Sequence, residues 1–316
     1  MSKKDKKNKK RKVIIDCDPG HDDAIALLLA FASSNLNVQG VTVVAGNHVL
    51  EKTTYNALKV LEFAGIETEV YAGYDAPLIR DLITAPDVHG ESGLDGPKLP
   101  EPKSSEEERH AVRFLQEKLR RSQEPITLIP TGPLTNIGAA LAGAPDIAEN
   151  IAEIIFMGGA VQGGNRTAAA EFNILVDPEA AHIVVDSDIE KTMVGLDVTR
   201  KAQFLPEDIE ELKNLGNPVA EMAGELLEFF VQYHIEQLGM EGCPLHDPLA
   251  VAGAIDDSVL TTEKLPVKIE CEGRYTTGST VVDFDGKTFG KANVKVAREV
   301  DRIKFIHMVK KLLAKY

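Results

Sequence analysis

The chain has 316 residues, 43% hydrophobic and 27% charged, ordinary values for a globular protein able to bury a substantial core. Its net charge is −14; residues 1–12 carry +7, so the rest carries −21, and such a body repels phosphate backbones and speaks against nucleic acid as a partner. An aromatic content of 5% without Trp argues against stacking platforms for single strands, and no run of about 18 apolar residues could span a membrane. In chain order, residues 1–12 read as a disordered, solubilising basic tail, because nothing in them can pack. No apolar segment follows that would make them a secretory signal. Cys17, Cys243 and Cys271 are odd in number and lack metal-ligand spacing, so the expected compartment is a reducing cytoplasm.

The apolar run Val13-Ile14-Ile15 predicts a buried strand over Val13–Asp18, and Ala24–Ala30 predicts a helix. Between them the segment Asp16-Cys17-Asp18-Pro19-Gly20-His21-Asp22-Asp23 places four carboxylates within eight residues. Capping and the helix macrodipole account for Asp22 or Asp23, but not for Asp16 and Asp18 on the strand side. A hard divalent cation held by carboxylate oxygens would offset their mutual repulsion, and Pro19-Gly20 supplies the turn that lets both sides aim at one point.

Further strands are expected over Val38–Ala45, Glu69–Ala72, Ile126–Pro130, Ile151–Met157 and Thr192–Leu196. Amphipathic helices are expected between them, over Glu51–Ala64, Glu106–Arg121, Leu134–Leu141 and Pro178–Val185. Near-continuous Val/Ile runs mark strands covered on both faces. The alternation therefore predicts one α/β domain over residues 13–316, a doubly wound, mostly parallel sheet flanked by helices. Residues 75–105 form a long irregular stretch of the kind that covers a site. Residues 266–296 read as a short β excursion, and Asp301–Leu313 as a closing helix.

In such sheets ligands bind outside the carboxyl ends of the strands. There the sequence places Asp18, Asp22 and Asp23, then Gly46-Asn47-His48, then Thr131-Gly132-Pro133, then Met157-Gly158-Gly159. Asn165 and Glu171-Phe172-Asn173 follow, and His246-Asp247-Pro248 opens an apolar helix far downstream. This set of acids, amides and a His, without an Arg/Lys cluster, suits a neutral polyhydroxyl ligand better than a phosphate. Plainer roles are available residue by residue. Asp247 could be an ordinary N-cap, Asn47 an Asx turn, Met157 core, and Asp16 a structural partner of the cluster.

Together the blocks Asp16–Ala24, Val44–Asn47, His89–Gly93, Pro130–Ile137, Met157–Gly159, Ala170–Asn173, Val194–Asp197 and His246–Pro248 resemble the nucleoside hydrolases, the inosine-uridine-preferring N-ribohydrolases. That resemblance implies hydrolysis of the N-glycosidic bond of ribonucleosides to free base and ribose. It implies a Ca²⁺ held by Asp18, Asp23, Asp247 and the Thr131 carbonyl, with Asp18 also the general base. Asp22, Asn47, Asn165, Glu171, Phe172 and Asn173 would contact the ribose, with Met157 packing on it. His89 would approach from the covering loop, and His246 would stand near the leaving base as a proton donor. A homodimer or homotetramer is implied too. The candidates for the base end, Phe229, Phe230, Tyr233, His234 and Gln237, leave base preference open.

Rival readings fare worse on the residues. A haloacid dehalogenase-type phosphatase also starts with Asp-x-Asp, but Gly20 stands where its motif wants Thr or Val. An EF-hand loop starting at Asp16 needs Glu at its twelfth position and meets Leu27. No Gly-x-Ser-x-Gly exists for a serine hydrolase. A metal-dependent nucleoside-binding or regulatory protein on the same scaffold remains the alternative; Asp18 and His246 would be dispensable for binding alone.

Overall fold

A computed structural model describes residues 10–316. The first strand, β1 (Arg11–Cys17), takes up the two last residues of the expected tail; residues 1–9 lie outside the described residues. Arg11 and Lys12 extend the strand because they pair with Leu36 and Asn37 of β2 (Leu36–Val43), backbone pairing that does not depend on apolar side chains. The remaining strands are β3 (Val70–Ala72), β4 (Ile126–Pro130), β5 (Ile151–Met157), β6 (Lys191–Val194), β7 (Gln203–Phe204), β8 (Cys243–Pro244), β9 (Leu260–Leu265), β10 (Val267–Ile269), β11 (Thr280–Val282) and β12 (Val294–Val300).

Eight of these form one sheet in the order β3-β2-β1-β4-β5-β6-β12-β9. Its pairs are parallel except β9 on β12, which is antiparallel and closes one edge. Alternation along β1 divides the core between two faces. Val13, Ile15 and Cys17 join the cluster under helices His21–Ala32, Pro218–Leu238 and His246–Ile255. Ile14 joins the cluster under helices Ala111–Arg121, Thr135–Gly143 and Pro178–Asp186. The result is the expected three-layer, doubly wound α/β fold.

The order of strands reverses direction between β1 and β4. At such a switch point the connections leave to opposite faces and a crevice opens at the carboxyl ends. Asp16 lies opposite Pro130 in that register, and Thr131 N–H donates to the Asp16 carbonyl at 2.8 Å. The acidic turn after β1 and the Thr131 turn after β4 therefore share one crevice. The sequence did not announce β9, whose residues are mostly exposed and polar, or the two-stranded ribbon β7–β8. The expected helix Glu106–Arg121 begins only at Ala111, where the His110 ring accepts from the Val112 N–H. Among the described residues no helix is long and apolar enough to cross a membrane.

The layer below the sheet depends on one close approach. A Cβ on Gly138 would lie 2.8 Å from both the Cα and the Cβ of Ala180 in the neighbouring helix. Ala is intrinsically the better helix former by about 1 kcal/mol. Gly138→Ala is nevertheless expected to destabilise the protein by about 1–3 kcal/mol in denaturant titration, since overpacking outweighs propensity here. A gain in stability would show that the two helices separate freely.

Candidate functional site

The site begins with a turn that the chain folds tightly onto itself. Asp18 follows β1, and its Oδ2 accepts the Asn47 N–H at 2.6 Å. The Asn47 side chain donates to the Asp18 carbonyl at 3.1 Å and to Asp23 Oδ2 at 3.2 Å. Asn56 donates to the Pro19 carbonyl at 3.1 Å, and Gly20 N–H donates to Asp23 Oδ2 at 3.1 Å. Two glycines make room for the Asp18 carboxylate. A Cβ on Gly46 would stand 2.1 Å from its Oδ2, and one on Gly132 would stand 2.5 Å from its Oδ1.

Asp22 and Asp23 occupy the first turn of helix His21–Ala32, and Asp247 the first turn of His246–Ile255. One oxygen of each lies within 4.8 Å of the others. The converging carboxylates are thus Asp22, Asp23 and Asp247. Asp18 stands beside them with Oδ1 buried and unpartnered. The Thr131 hydroxyl donates to Asp23 Oδ1 at 2.8 Å, while its carbonyl accepts from Asn173 Nδ2 at 2.7 Å. None of these acids forms a salt bridge among the described residues. Burial, and then the neighbouring Asp23, pushes Asp18 well above the usual carboxylate range. The same causes push Asp22 to about 7; burial, then Asp22 and Asp23, raises Asp247 well above its ordinary value.

Asp16 lies one layer deeper, with its Oδ1 accepting from Thr42 Oγ1 at 2.5 Å and from Asn136 Nδ2 at 2.8 Å. Its Oδ2 has no partner, and burial pushes the carboxyl up to about 7. Asp16 does not belong to the converging triad.

Asp22 and Asp247 line a cavity of about 290 Å³, whereas Asp18 and Asp23 are not among its lining residues. The expected contacts Asp22, Asn47, His89, Met157, Asn165, Glu171, Phe172 and Asn173 all line it, as do Thr131, His246 and Asp247. Glu171 caps the short helix Phe172–Val176, accepting from the Asn173 and Ile174 N–H groups and from Gly159 N–H at 2.9 Å. Asn165 Oδ1 accepts the Phe172 N–H at 2.9 Å. Asp197 holds the intervening loop by accepting from Val161 N–H at 2.5 Å and Gln162 N–H at 3.2 Å.

The far end is of a different character. Phe230, Tyr233, His234, Leu238 and Met240 line it beside His246, while Gln237 does not. Phe229 also stays off the cavity and stacks on His21, with centroids 5.0 Å apart. His89 Nδ1 lies 3.2 Å from His21 Nδ1, and His21 Nε2 lies 2.7 Å from the Asp95 carbonyl. His246 Nδ1 meets Thr199 Oγ1 at 2.8 Å. Thr199 is fully buried, and its hydroxyl proton has no other acceptor among the described hydrogen bonds, so Thr199 donates and the His246 proton sits on Nε2. Burial, reinforced by His234 and Arg200, pushes His246 down to about 3, so its ring is neutral near pH 7. Sequence reasoning missed Thr199 and Arg200 and gave no role to Arg166 of the Gly163–Arg166 loop; both arginines line the cavity. Thr199 and Arg200 follow β6, so the strand-end rule could have found them.

The donor set is buried oxygen, and none of its carboxylates forms a salt bridge among the described residues, which fits a hard divalent cation. Residues 13–307 match the family model described as inosine-uridine preferring nucleoside hydrolase, and the chain belongs to that family. It is 49% identical over 306 residues to a pyrimidine-specific ribonucleoside hydrolase RihA of Klebsiella pneumoniae (strain 342), covering 96% of this chain and 98% of that one. A pyrimidine-specific ribonucleoside hydrolase RihA of Photobacterium profundum is 48% identical over 308 residues, with 97% and 99% covered. Among solved structures, a purine-preferring ribonucleoside hydrolase from Gardnerella vaginalis superposes with a TM-score of 0.91 at 31% identity, covering 96% and 98%. The plant nucleoside hydrolase PpNRh1 gives 0.91 at 33%, covering 98% and 100%.

Asn136 ties the floor of the site together. Besides Asp16 it donates to the Val43 carbonyl at 3.0 Å and accepts the Tyr74 N–H at 3.0 Å, with no exposed surface. Asn136→Ala removes one of two donors from Asp16 Oδ1 and from the Val43 carbonyl, which keep Thr42 and the Gly73 N–H, and takes the side-chain acceptor from the Tyr74 N–H; it is expected to cost about 1–3 kcal/mol by chemical denaturation. A loss below about 0.5 kcal/mol would mean that water replaces the amide at no penalty.

Proposed function

We propose that this ribonucleoside hydrolase acts on pyrimidine ribonucleosides and requires one tightly held Ca²⁺. The observation that carries the metal reading is the knot of buried carboxylates, two of them lining the cavity, with no salt bridge to any of them among the described residues. Asp18, Asp22, Asp23, Asp247 and the Thr131 carbonyl are the groups available to hold the ion. When bound, such an ion supplies Lewis acidity towards water and a fixed point for the vicinal hydroxyls of a ribose.

The chain's own groups do the rest. Asp18 Oδ1 is unpartnered, while Oδ2 is tied to the Asn47 N–H, so one oxygen is fixed and the other is available to take a proton from water. Asn47, Asn165 and Asn173 offer amide donors and acceptors to sugar hydroxyls, and Glu171 offers carboxylate acceptors. Their hydrogen bonds can tighten as positive charge develops on the ribosyl ring, which favours the transition state over the bound substrate. His246, neutral with its proton on Nε2, serves the leaving base as a hydrogen-bond donor. The pyrimidine reading is supported by the two relatives above, each named as pyrimidine-specific and each nearly half identical over almost the whole chain.

The reading is checked by measuring released ribose from uridine, cytidine, inosine and adenosine, in protein stripped of metal and in protein resupplied with Ca²⁺. Turnover is expected only with metal, and for the pyrimidines at least about tenfold above the purines in kcat/KM. Full activity in protein shown by elemental analysis to be metal-free would remove the Ca²⁺ requirement, and a purine preference would remove the base assignment.

Asp18→Asn is expected to lower kcat by at least about 10²–10⁴, the usual contribution of a positioned base. Asp16→Asn, deeper and outside the triad, is expected to cost less in kcat. The reverse order, in variants whose melting shows them folded, would move the role of base to Asp16.

A further inference from the structure

The base end of the cavity contains a histidine whose tautomer the fold dictates. His234 lies in helix Pro218–Leu238 and is only 4% exposed. Its Nδ1 stands 2.9 Å from the Phe230 carbonyl, one turn back. A carbonyl oxygen can only accept, so Nδ1 carries the proton and Nε2 is a bare acceptor. Nε2 has no hydrogen-bond partner among the described residues, and the residue lines the cavity. The ring is held edge-to-face by Phe230 at 4.4 Å and by Tyr233 at 5.5 Å, which limits its freedom to turn away. Burial also lowers its pKa, in keeping with a neutral ring.

The two histidines of this end are thus set oppositely, with His234 accepting and His246 donating through Nε2. Phe230, Tyr233, Leu238 and Met240 line the cavity beside them, and His234 itself is almost wholly buried, which limits the access of water to its ring. A bare acceptor in an apolar wall costs free energy unless a ligand brings a donor, and an analogue without that donor leaves it unpaired. Uracil offers a ring N–H flanked by carbonyls, the complement of an acceptor beside a donor. We propose that His234 Nε2 accepts the lactam N3–H of a uracil-type base and thereby makes His234 a specificity-determining residue. The proposal rests on the pyrimidine reading given above.

The test compares uridine with N3-methyluridine, whose lactam nitrogen has no proton, in both calorimetric Kd and kcat/KM. In the wild-type holoenzyme uridine is expected to be favoured by about 10–100-fold, the worth of one buried hydrogen bond and the unpaired acceptor its loss leaves. In His234→Leu that preference should fall to within about threefold. In His234→Gln, whose Oε1 reaches the place of Nε2, much of it should return, which an effect of methyl bulk alone would not produce. A wild type that treats the two nucleosides alike, or a preference that survives His234→Leu in folded protein, overturns the proposal. Cleavage of p-nitrophenyl riboside with neither binding nor cleavage of uridine overturns it together with the pyrimidine reading, and leaves ribosidase activity standing. Preferential binding of uridine without cleavage of any riboside supports the role of His234 and counts instead against hydrolysis.

Discussion

Repulsion among buried carboxylates is the constraint around which this molecule is arranged. Asp16, Asp18, Asp22, Asp23 and Asp247 are each 4% exposed or less, and no lysine or arginine forms a salt bridge with any of them among the described residues. In a medium of low effective dielectric, like charges a few ångströms apart oppose one another by several kcal/mol. Folding alone has two ways to accommodate that, by protonating some of the acids or by surrounding them with dipoles. Both are visible, in carboxyls raised above their ordinary range and in the ring of donors formed by Asn47, Thr42, Thr131 and Asn136. An arrangement that costs this much stability without a counter-charge is understandable when a ligand supplies one.

Topology makes the arrangement possible. The strand order reverses at β1 and β4, so two turns from distant parts of the chain open into one crevice, and helices His21–Ala32 and His246–Ile255 bring their first turns to it. Helix N-termini favour negative charge, which relieves part of the repulsion on Asp22, Asp23 and Asp247. Small residues matter as much as acids. Gly46 and Gly132 leave the space that the Asp18 carboxylate fills, so a side chain at either position would push that carboxylate out of the site.

Much of this was legible in the sequence, for reasons that can be named. Strands β1, β4 and β5 contain short runs of Val, Ile and Leu that are buried on both faces, the mark of a covered parallel sheet. The acidic turn stood out because its charges exceed what capping accounts for. The strand β9 was hidden because its residues 261–264 are exposed, so nothing in their polarity marks a sheet. Helix Pro218–Leu238 escaped notice because ten of its 21 residues are buried, and they do not form a narrow stripe. The position of Asp22 in the triad, rather than Asp18, depends on how helix His21–Ala32 enters the crevice. Spacing along the chain could not separate two acids four residues apart.

The two ends of the cavity answer to different physics, and that explains how one scaffold serves several bases. The carboxylate end is tied down from several sides: Asp16, Asp18 and Asp23 accept from Thr42, Asn136, Asn47, Gly20 and Thr131, and Asp22 and Asp247 converge on Asp23. The base end is assembled from aromatic stacking and single hydrogen bonds between separate segments. His21 touches Phe229, Phe230 and His89, and Arg166 reaches across to Asp87 from the Asn165 loop. Each such aromatic pair is worth about 0.5–1.5 kcal/mol beyond its buried area, and a part-exposed ion pair less. Residues there can change one at a time without disturbing the acids beneath. A purine-preferring hydrolase superposes on this chain with a TM-score of 0.91, while relatives nearly half identical to it are named as pyrimidine-specific. The fold common to them cannot choose the base; side chains along the base end, His234 among them, are where that choice has room to be made.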